Sequence, residues 1–174
     1  MTTPQIPSLN DIPAAVREEL KLFLDSQRDA IAAIGSPVAD AISYLDSFVL
    51  DGGKRIRPLY AWAGFVGAHG LDGTESPQAM LRAASSLEFV QACALIHDDI
   101  VDASDTRRGN PTVHRGVAAH HRELGLNGDA DFFGQSLAIL IGDMALVWAE
   151  DMLQDSGLSP EALARARASG LKPE

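Results

Sequence analysis

Residues 97–114 read HDDIVDASDTRRGNPTVH, the stretch of this chain richest in reactive side chains. Three aspartates, Asp98, Asp99 and Asp102, fall within about one helical turn, and Arg107 and Arg108 follow. The apolar residues 87–96 lead straight into the acids. Burying three carboxylates at the end of an apolar helix is costly unless cations neutralise them. A ternary arrangement suits charges of both signs: carboxylates hold a divalent metal, the metal holds a phosphate, and the arginines hold that phosphate from the other side. Oxygen-only ligands favour Mg2+, which binds through one or two carboxylates plus substrate phosphates. The plainer reading is a solvated helix end, although acids near a helix C-terminus oppose its dipole. An EF-hand is excluded, because Asp99, Asp102 and Asp105 are spaced by three where that loop needs a spacing of two and a glycine at its sixth position.

A second cluster, GGKRIRP, occupies residues 52–58. Gly52 and Gly53 let the backbone bend and approach a ligand closely. Lys54, Arg55 and Arg57 place three cations in four residues, and Pro58 suits the first turn of a helix. Free N–H groups at that helix start, with the cations, make an anion site. The spacing is not that of a Walker loop. An exposed basic turn is the alternative, made less attractive by the acidity of the rest of the chain.

DDIVD followed by RRG and PTVH resembles the first aspartate-rich motif of the trans-isoprenyl diphosphate synthases, the polyprenyl synthetase family. GGKRIRP resembles that family's isopentenyl diphosphate-binding loop. The motifs come in the family's order, and the resemblance runs from about residue 38 to about residue 152. It implies an all-α fold, an antiparallel helix bundle of the isoprenoid synthase type. It implies a prenyltransferase that condenses isopentenyl diphosphate with an allylic diphosphate (dimethylallyl, geranyl or farnesyl) by ionisation, condensation and elimination. Asp98, Asp99 and Asp102 become ligands of Mg2+ and, with Arg107, the catalytic set. Arg107 is placed on the allylic diphosphate. Lys54, Arg57, Gln91 and Arg108 are placed on isopentenyl diphosphate, and Arg55 is given no ligand contact. Gln91 lies seven residues before Asp98, two turns down the same side, and Asp98 and Asp102 share a face. Taken alone, Gln91 reads as an amide satisfied within a helix bundle.

Cys93 and Ala94, five and four residues before Asp98, line the pocket for the growing chain in the family. Both are small, so the product is expected to have twenty carbons or more, geranylgeranyl diphosphate being the shortest such product. A terpene cyclase-like enzyme would share the metal–diphosphate chemistry but has no use for a second basic loop. A non-catalytic or regulatory subunit would not require all three aspartates and both arginines. The family's second aspartate-rich motif has no match here: Asp143, Glu150, Asp151 and Asp155 do not fit it. The chain is therefore expected to be one N-terminal portion of a synthase domain, spanning residues 1–174. By itself it should be inactive while still binding isopentenyl diphosphate weakly through Lys54, Arg57 and Arg108. Apolar helix faces near Phe89 and Leu140 are expected to lack partners and to favour a homodimer.

The chain has 174 residues, room for one domain and a core, and 46% are apolar. A net charge of −10 with only two short basic clusters argues against a nucleic-acid partner. The lone Cys93 suits a buried small side chain in a reducing compartment, so a cytoplasmic location is expected. Residues 1–10 read as a flexible start rather than a signal sequence. No membrane span is expected: the longest apolar run, residues 136–144, is broken by Gly142 and Asp143.

The periodicity predicts helices almost throughout. Ile12, Val16, Leu20, Phe23, Leu24, Ile31 and Ile34 mark the first, between Asp11 and Gly35. Ser36-Pro37 opens a second carrying Val38, Ile42, Leu45 and Val49, closed by Gly52. A third runs from Pro58 to about Ala68. Ser76-Pro77 opens a long fourth that ends at the aspartates. Residues 103–116 read as a loop, 117–124 as a short helix and 131–155 as a long apolar one. No strand is expected. His97 reads as a hydrogen-bonding neighbour of the metal site, and His120 and His121 as surface residues.

Overall fold

The computed structural model describes residues 7–51 and 53–168. Most of the expectation for residues 1–10, and the closing role of Gly52, lie outside the described residues. Helix α1 spans Ile12–Ile34. It starts where Asp11 accepts the Ser8 N–H (3.2 Å) and hydroxyl (2.6 Å). Ile12, Val16, Leu20 and Leu24 form the expected buried stripe, but Ile34 is 70% exposed, so the stripe fades before the helix ends. Gly35, at φ 136°, turns the chain into α2 (Ser36–Leu50), with Pro37 in its first turn. Helix α3 (Ile56–Gly67) starts two residues before Pro58, immediately after Arg55 at φ 50°.

A short 3₁₀ turn, Gly70–Asp72, follows. Gly70 lies under the Phe65 ring, where a Cβ would come within 2.3 Å. The expected single fourth helix is two, α4 (Pro77–Ser85) and α5 (Leu87–Val101). The break has a local cause. Ser85 Oγ donates to Leu81 O (2.8 Å) and Ser86 Oγ to Ala83 O (2.7 Å), and such back-bonding competes with the helix ladder.

The loop after α5 contains a hairpin, β1 (Thr106–Arg107) and β2 (Asn110–Pro111), with Arg107 opposite Asn110. Strands of two residues are too short to leave an alternating pattern in the sequence. Helix α6 (Val113–Glu123) starts four residues earlier than expected. Helix α7 (Ala130–Gln154) is capped by Asp129 Oδ1, which accepts the N–H groups of Asp131 (2.9 Å) and Phe132 (3.0 Å). An unanticipated helix, α8 (Pro160–Ala168), begins at Ser159, whose Oγ accepts Ala162 N–H at 3.2 Å.

The chain forms two compact units. The first comprises Met1–Phe23, Gly53–Glu88 and Ala149–Glu174. Here α3 packs on α4, and Trp62, Leu81, Ala84, Met152 and Leu163 are buried. Its buried carboxylate, Glu19, takes Arg82 Nε at 3.1 Å and the Gln78 amide. Glu75 holds the N–H and hydroxyl of Ser159 at the start of α8. The second unit comprises Leu24–Gly52 and Phe89–Trp148. Its buried residues include Ile42, Leu45, Val49, Phe89, Ile96, Val117, Ile141 and Trp148. Phe89, expected on an unpartnered face, is fully buried, with its ring 6.0 Å from that of Trp148. Leu140 is 62% exposed, as expected, in line with Phe132, Phe133, Ile139, Leu146 and Val147 on α7.

By length and composition two helical stretches, Pro77–Val101 and Ala130–Gln154, are apolar enough to cross a bilayer, which the sequence runs did not suggest. Half of the apolar window in the first stretch and 39% of that in the second are buried inside the fold. The exposed face of α7 also carries Asp143 and Glu150.

Candidate active site

The last turn of α5 divides the three aspartates. Asp98 and Asp102 are exposed, and Asp102 N–H donates to Asp98 O at 2.8 Å, closing the turn that puts them on one face. Asp99 points inward and is 1% exposed. Its carboxylate is gripped by Arg107, through Nε at 2.8 and 3.1 Å and Nη2 at 2.7 Å. That hydrogen bonding, helped by the fields of Asp98 and Asp102, drives the Arg107 pKa up further. Of three carboxylates expected to be buried together, one is buried, and a cation meets its cost. Arg107, expected on a diphosphate, has two of its three nitrogens committed to Asp99.

Among the described residues no three Asp, Glu, His or Cys side chains are arranged to hold a metal ion. Of the three aspartates expected to hold the metal, Asp99 is paired with Arg107, while Asp98 and Asp102 stand exposed on one face of the turn. Among the described residues the Asp98 and Asp102 carboxylates have no hydrogen bond or salt bridge. Two free, exposed, oxygen-only donors fit Mg2+, which keeps waters and phosphates as its remaining ligands.

The arginines owe their placement to the hairpin. Arg108 (φ 53°) and Gly109 (φ 84°) are the two residues of its loop, both left-handed, as a type I′ turn requires. Asparagine and glycine favour this conformation; an arginine there is strained. The Arg108 side chain is exposed and makes no hydrogen bond or ion pair among the described residues. The base of the hairpin is pinned. Thr112, 1% exposed, donates Oγ1–H to Ser104 O at 2.8 Å. Arg115 joins Asp105 (2.8 Å) to Asp131 (3.0 Å). These supporting residues were missed, although Thr112 before Val113 carries the signature of an N-cap. A cavity of about 440 Å³ opens beside the hairpin, lined by Tyr44, Ser47 and Phe48 of α2, by Asp51 just after it, and by Arg107 to Val113 without Gly109. Gly116 completes it. No sequence signal marked the α2 residues.

In the first unit Gly53 has φ 93° and Arg55 φ 50°, so the basic loop bends sharply before α3. Lys54 and Arg57 are exposed, with no hydrogen bond or ion pair among the described residues. Arg55 is 5% exposed and bonds Glu88 at 2.5 Å, a structural pairing. The α3 N-terminus has no side-chain cap, which leaves its first N–H groups available to an anion.

Back in the second unit, the buried amide oxygen Oε1 of Gln91 on α5 has no hydrogen-bond donor among the described residues. Cys93 is half-buried and Ala94 exposed, and neither lines the cavity beside the hairpin. Burial, and then the field of Asp143, push the Cys93 thiol up, so it stays protonated. Cys93 Sγ lies 3.8 Å from His97 Nδ1, and His97 Nε2 lies 3.2 Å from Ile139 O. His97 thus bonds the backbone of α7. His114 is 3% exposed with Nδ1 unpaired among the described residues, and burial, then Arg115, lower its pKa. His120 is exposed as expected, but His121 is buried, its ring 4.9 Å from that of Phe133.

Comparison with known proteins joins these features. The polyprenyl synthetase family model matches residues 40–169. A crystal structure of geranylgeranyl pyrophosphate synthase from Corynebacterium glutamicum, complexed with isoprenyl diphosphate and magnesium, superposes with a TM-score of 0.91 at 63% identity, over 94% of this chain and 46% of that one. Geranylgeranyl pyrophosphate synthase 12, chloroplastic, of Arabidopsis thaliana is 34% identical over 145 residues, 78% of this chain and 34% of that protein. Geranylfarnesyl diphosphate synthase of Aeropyrum pernix is 36% identical over 118 residues, 66% of this chain and 31% of that protein. The chain thus spans about a third of the length of such curated relatives. Its helices are those of the all-α isoprenoid synthase fold, and the chain belongs to the polyprenyl synthetase family.

Proposed function

We propose that this chain carries two diphosphate-binding elements of a prenyltransferase that joins isopentenyl diphosphate to an allylic diphosphate. The observation that carries the reading is the unengaged, exposed pair Asp98 and Asp102 beside a hairpin that presents Arg107 and Arg108. Asp98 and Asp102 would hold Mg2+, which when bound neutralises charge gathering on the departing allylic diphosphate. Asp99 does not touch substrate. It fixes Arg107 so that the remaining nitrogen faces the same charge. Arg108 offers a full guanidinium fork to a diphosphate. Lys54 and Arg57, with the uncapped start of α3, take the diphosphate of isopentenyl diphosphate without metal. The small side chains Cys93 and Ala94 favour a product of twenty carbons or longer.

Two elements of different chemistry give a direct test by equilibrium binding. Geranyl diphosphate should bind only with Mg2+ and be released by EDTA. Isopentenyl diphosphate should bind in EDTA and be weakened by Lys54→Ala and Arg57→Ala. Identical metal dependence for both ligands, or binding of one alone, would refute the reading.

A further inference from the structure

Gly142 lies inside α7, where glycine weakens a helix relative to alanine. The reason is steric. A Cβ at Gly142 would stand 2.3 Å from His97 Nε2 and 2.7 Å from Cδ2, so the imidazole rests on bare α7 backbone. From that seat Nε2 reaches Ile139 O at 3.2 Å, while Nδ1 faces the Cys93 thiol at 3.8 Å. A carbonyl oxygen only accepts, so Nε2 is the donor in the bond to Ile139 O, and Asp143 Oδ1 stands 3.8 Å from the same nitrogen. His97 directly precedes Asp98. Around it the turn has little apolar anchorage, since Ile96 just before is buried but Val101 is 83% exposed, and its other tie is the Asp99–Arg107 pair. Terminal turns of helices fray, and Asp98 and Asp102 share a face only while this turn stays helical.

We propose that His97, seated on Gly142 and bonded to Ile139 O, is a positioning residue that keeps the aspartate turn of α5 in metal-binding register. This rests on the reading of Asp98 and Asp102 as the metal-holding pair. The role is specific to the imidazole bond: a side chain of similar size without a donor fills the notch but does not hold the turn.

The test uses inorganic pyrophosphate as probe, titrated calorimetrically in Mg2+ and in EDTA, with amide exchange of Asp102 N–H followed by NMR. His97→Leu removes the bond, Gly142→Ala displaces the ring, and His97→Gln restores a donor at the Nε2 position. His97→Leu and Gly142→Ala should each weaken Mg2+-dependent binding about tenfold and speed exchange at Asp102, while His97→Gln stays near the parent. Gly142→Ala reaches the same bond from α7, so a misfolded His97→Leu leaves the test intact. Parent-like affinity and exchange in the folded disrupting variants would overturn the proposal. If the parent itself binds no pyrophosphate with Mg2+, the functional reading fails. Exchange at Asp102 then decides the positioning claim alone: faster in the disrupted variants supports it, unchanged overturns it.

Discussion

Replacing Arg108 by asparagine should make the protein more stable and a poorer binder. Arg108 sits at φ 53° in the first loop position of a type I′ turn, followed by Gly109 at φ 84°. A left-handed conformation costs an ordinary residue about 1–2 kcal/mol, and asparagine tolerates it better. Relief of part of that strain is worth about 0.5–1 kcal/mol, and no contact is lost, because the Arg108 side chain has no partner among the described residues. For a chain of this length the gain raises Tm by about 1–4 °C. Binding moves the other way. Hydrogen bonds to a charged group contribute about 1.5–3 kcal/mol, and each 1.4 kcal/mol is tenfold, so diphosphate affinity should fall roughly 10- to 100-fold. Differential scanning calorimetry and isothermal titration with isopentenyl diphosphate read the two effects on one preparation. A lower Tm, or unchanged affinity at higher Tm, would refute the view that strain here serves ligand binding.

Asp99→Asn should destabilise the fold by about 3 kcal/mol in urea unfolding, since it breaks a pair whose acid is 1% exposed, whereas Asp98→Asn should stay within about 0.5 kcal/mol of the parent. His114 titrates below the usual 6.5 because it is buried and faces Arg115. Above pH 6.5 neither state is protonated there; as pH falls through 6.5 the unfolded chain takes the proton first, so stability should decline on acidification by at most about 1.4 kcal/mol per pH unit, and His114→Asn should flatten that slope. In a full-length synthase that contains this segment, Cys93→Phe should shorten the products separated by chromatography, with a smaller effect from Ala94→Phe, because Ala94 is exposed and Cys93 half-buried.

The sequence displayed its chemistry more clearly than its geometry. The helix starts near Asp11, Ser36-Pro37 and Ser76-Pro77 were legible because residues that favour a helix start, among them Pro37 and Pro77 in the first turns of α2 and α4, coincide with apolar periodicity there. Ser159-Pro160 carries the same signal for α8, but the helix is short and has little apolar stripe to draw notice. The break at Ser86 depends on hydroxyls choosing backbone acceptors, which periodicity does not record. The pairing of Asp99 with Arg107, eight residues on, exists only because the Arg108-Gly109 turn folds the loop back. With asparagine in place of Arg108 that turn would have been conspicuous; with arginine it read as another cation. The seat of His97 on Gly142 joins residues 45 apart in sequence, beyond the reach of any local pattern.

The most direct test of function removes the two free carboxylates together. Calorimetric titration of Asp98→Asn/Asp102→Asn with geranyl diphosphate and with isopentenyl diphosphate, each in Mg2+ and in EDTA, should show an unaltered melting curve, loss of all Mg2+-dependent geranyl diphosphate binding, and parent-like isopentenyl diphosphate binding. Mg2+-dependent binding of geranyl diphosphate at parental affinity would contradict the assignment of this turn as the metal–diphosphate site.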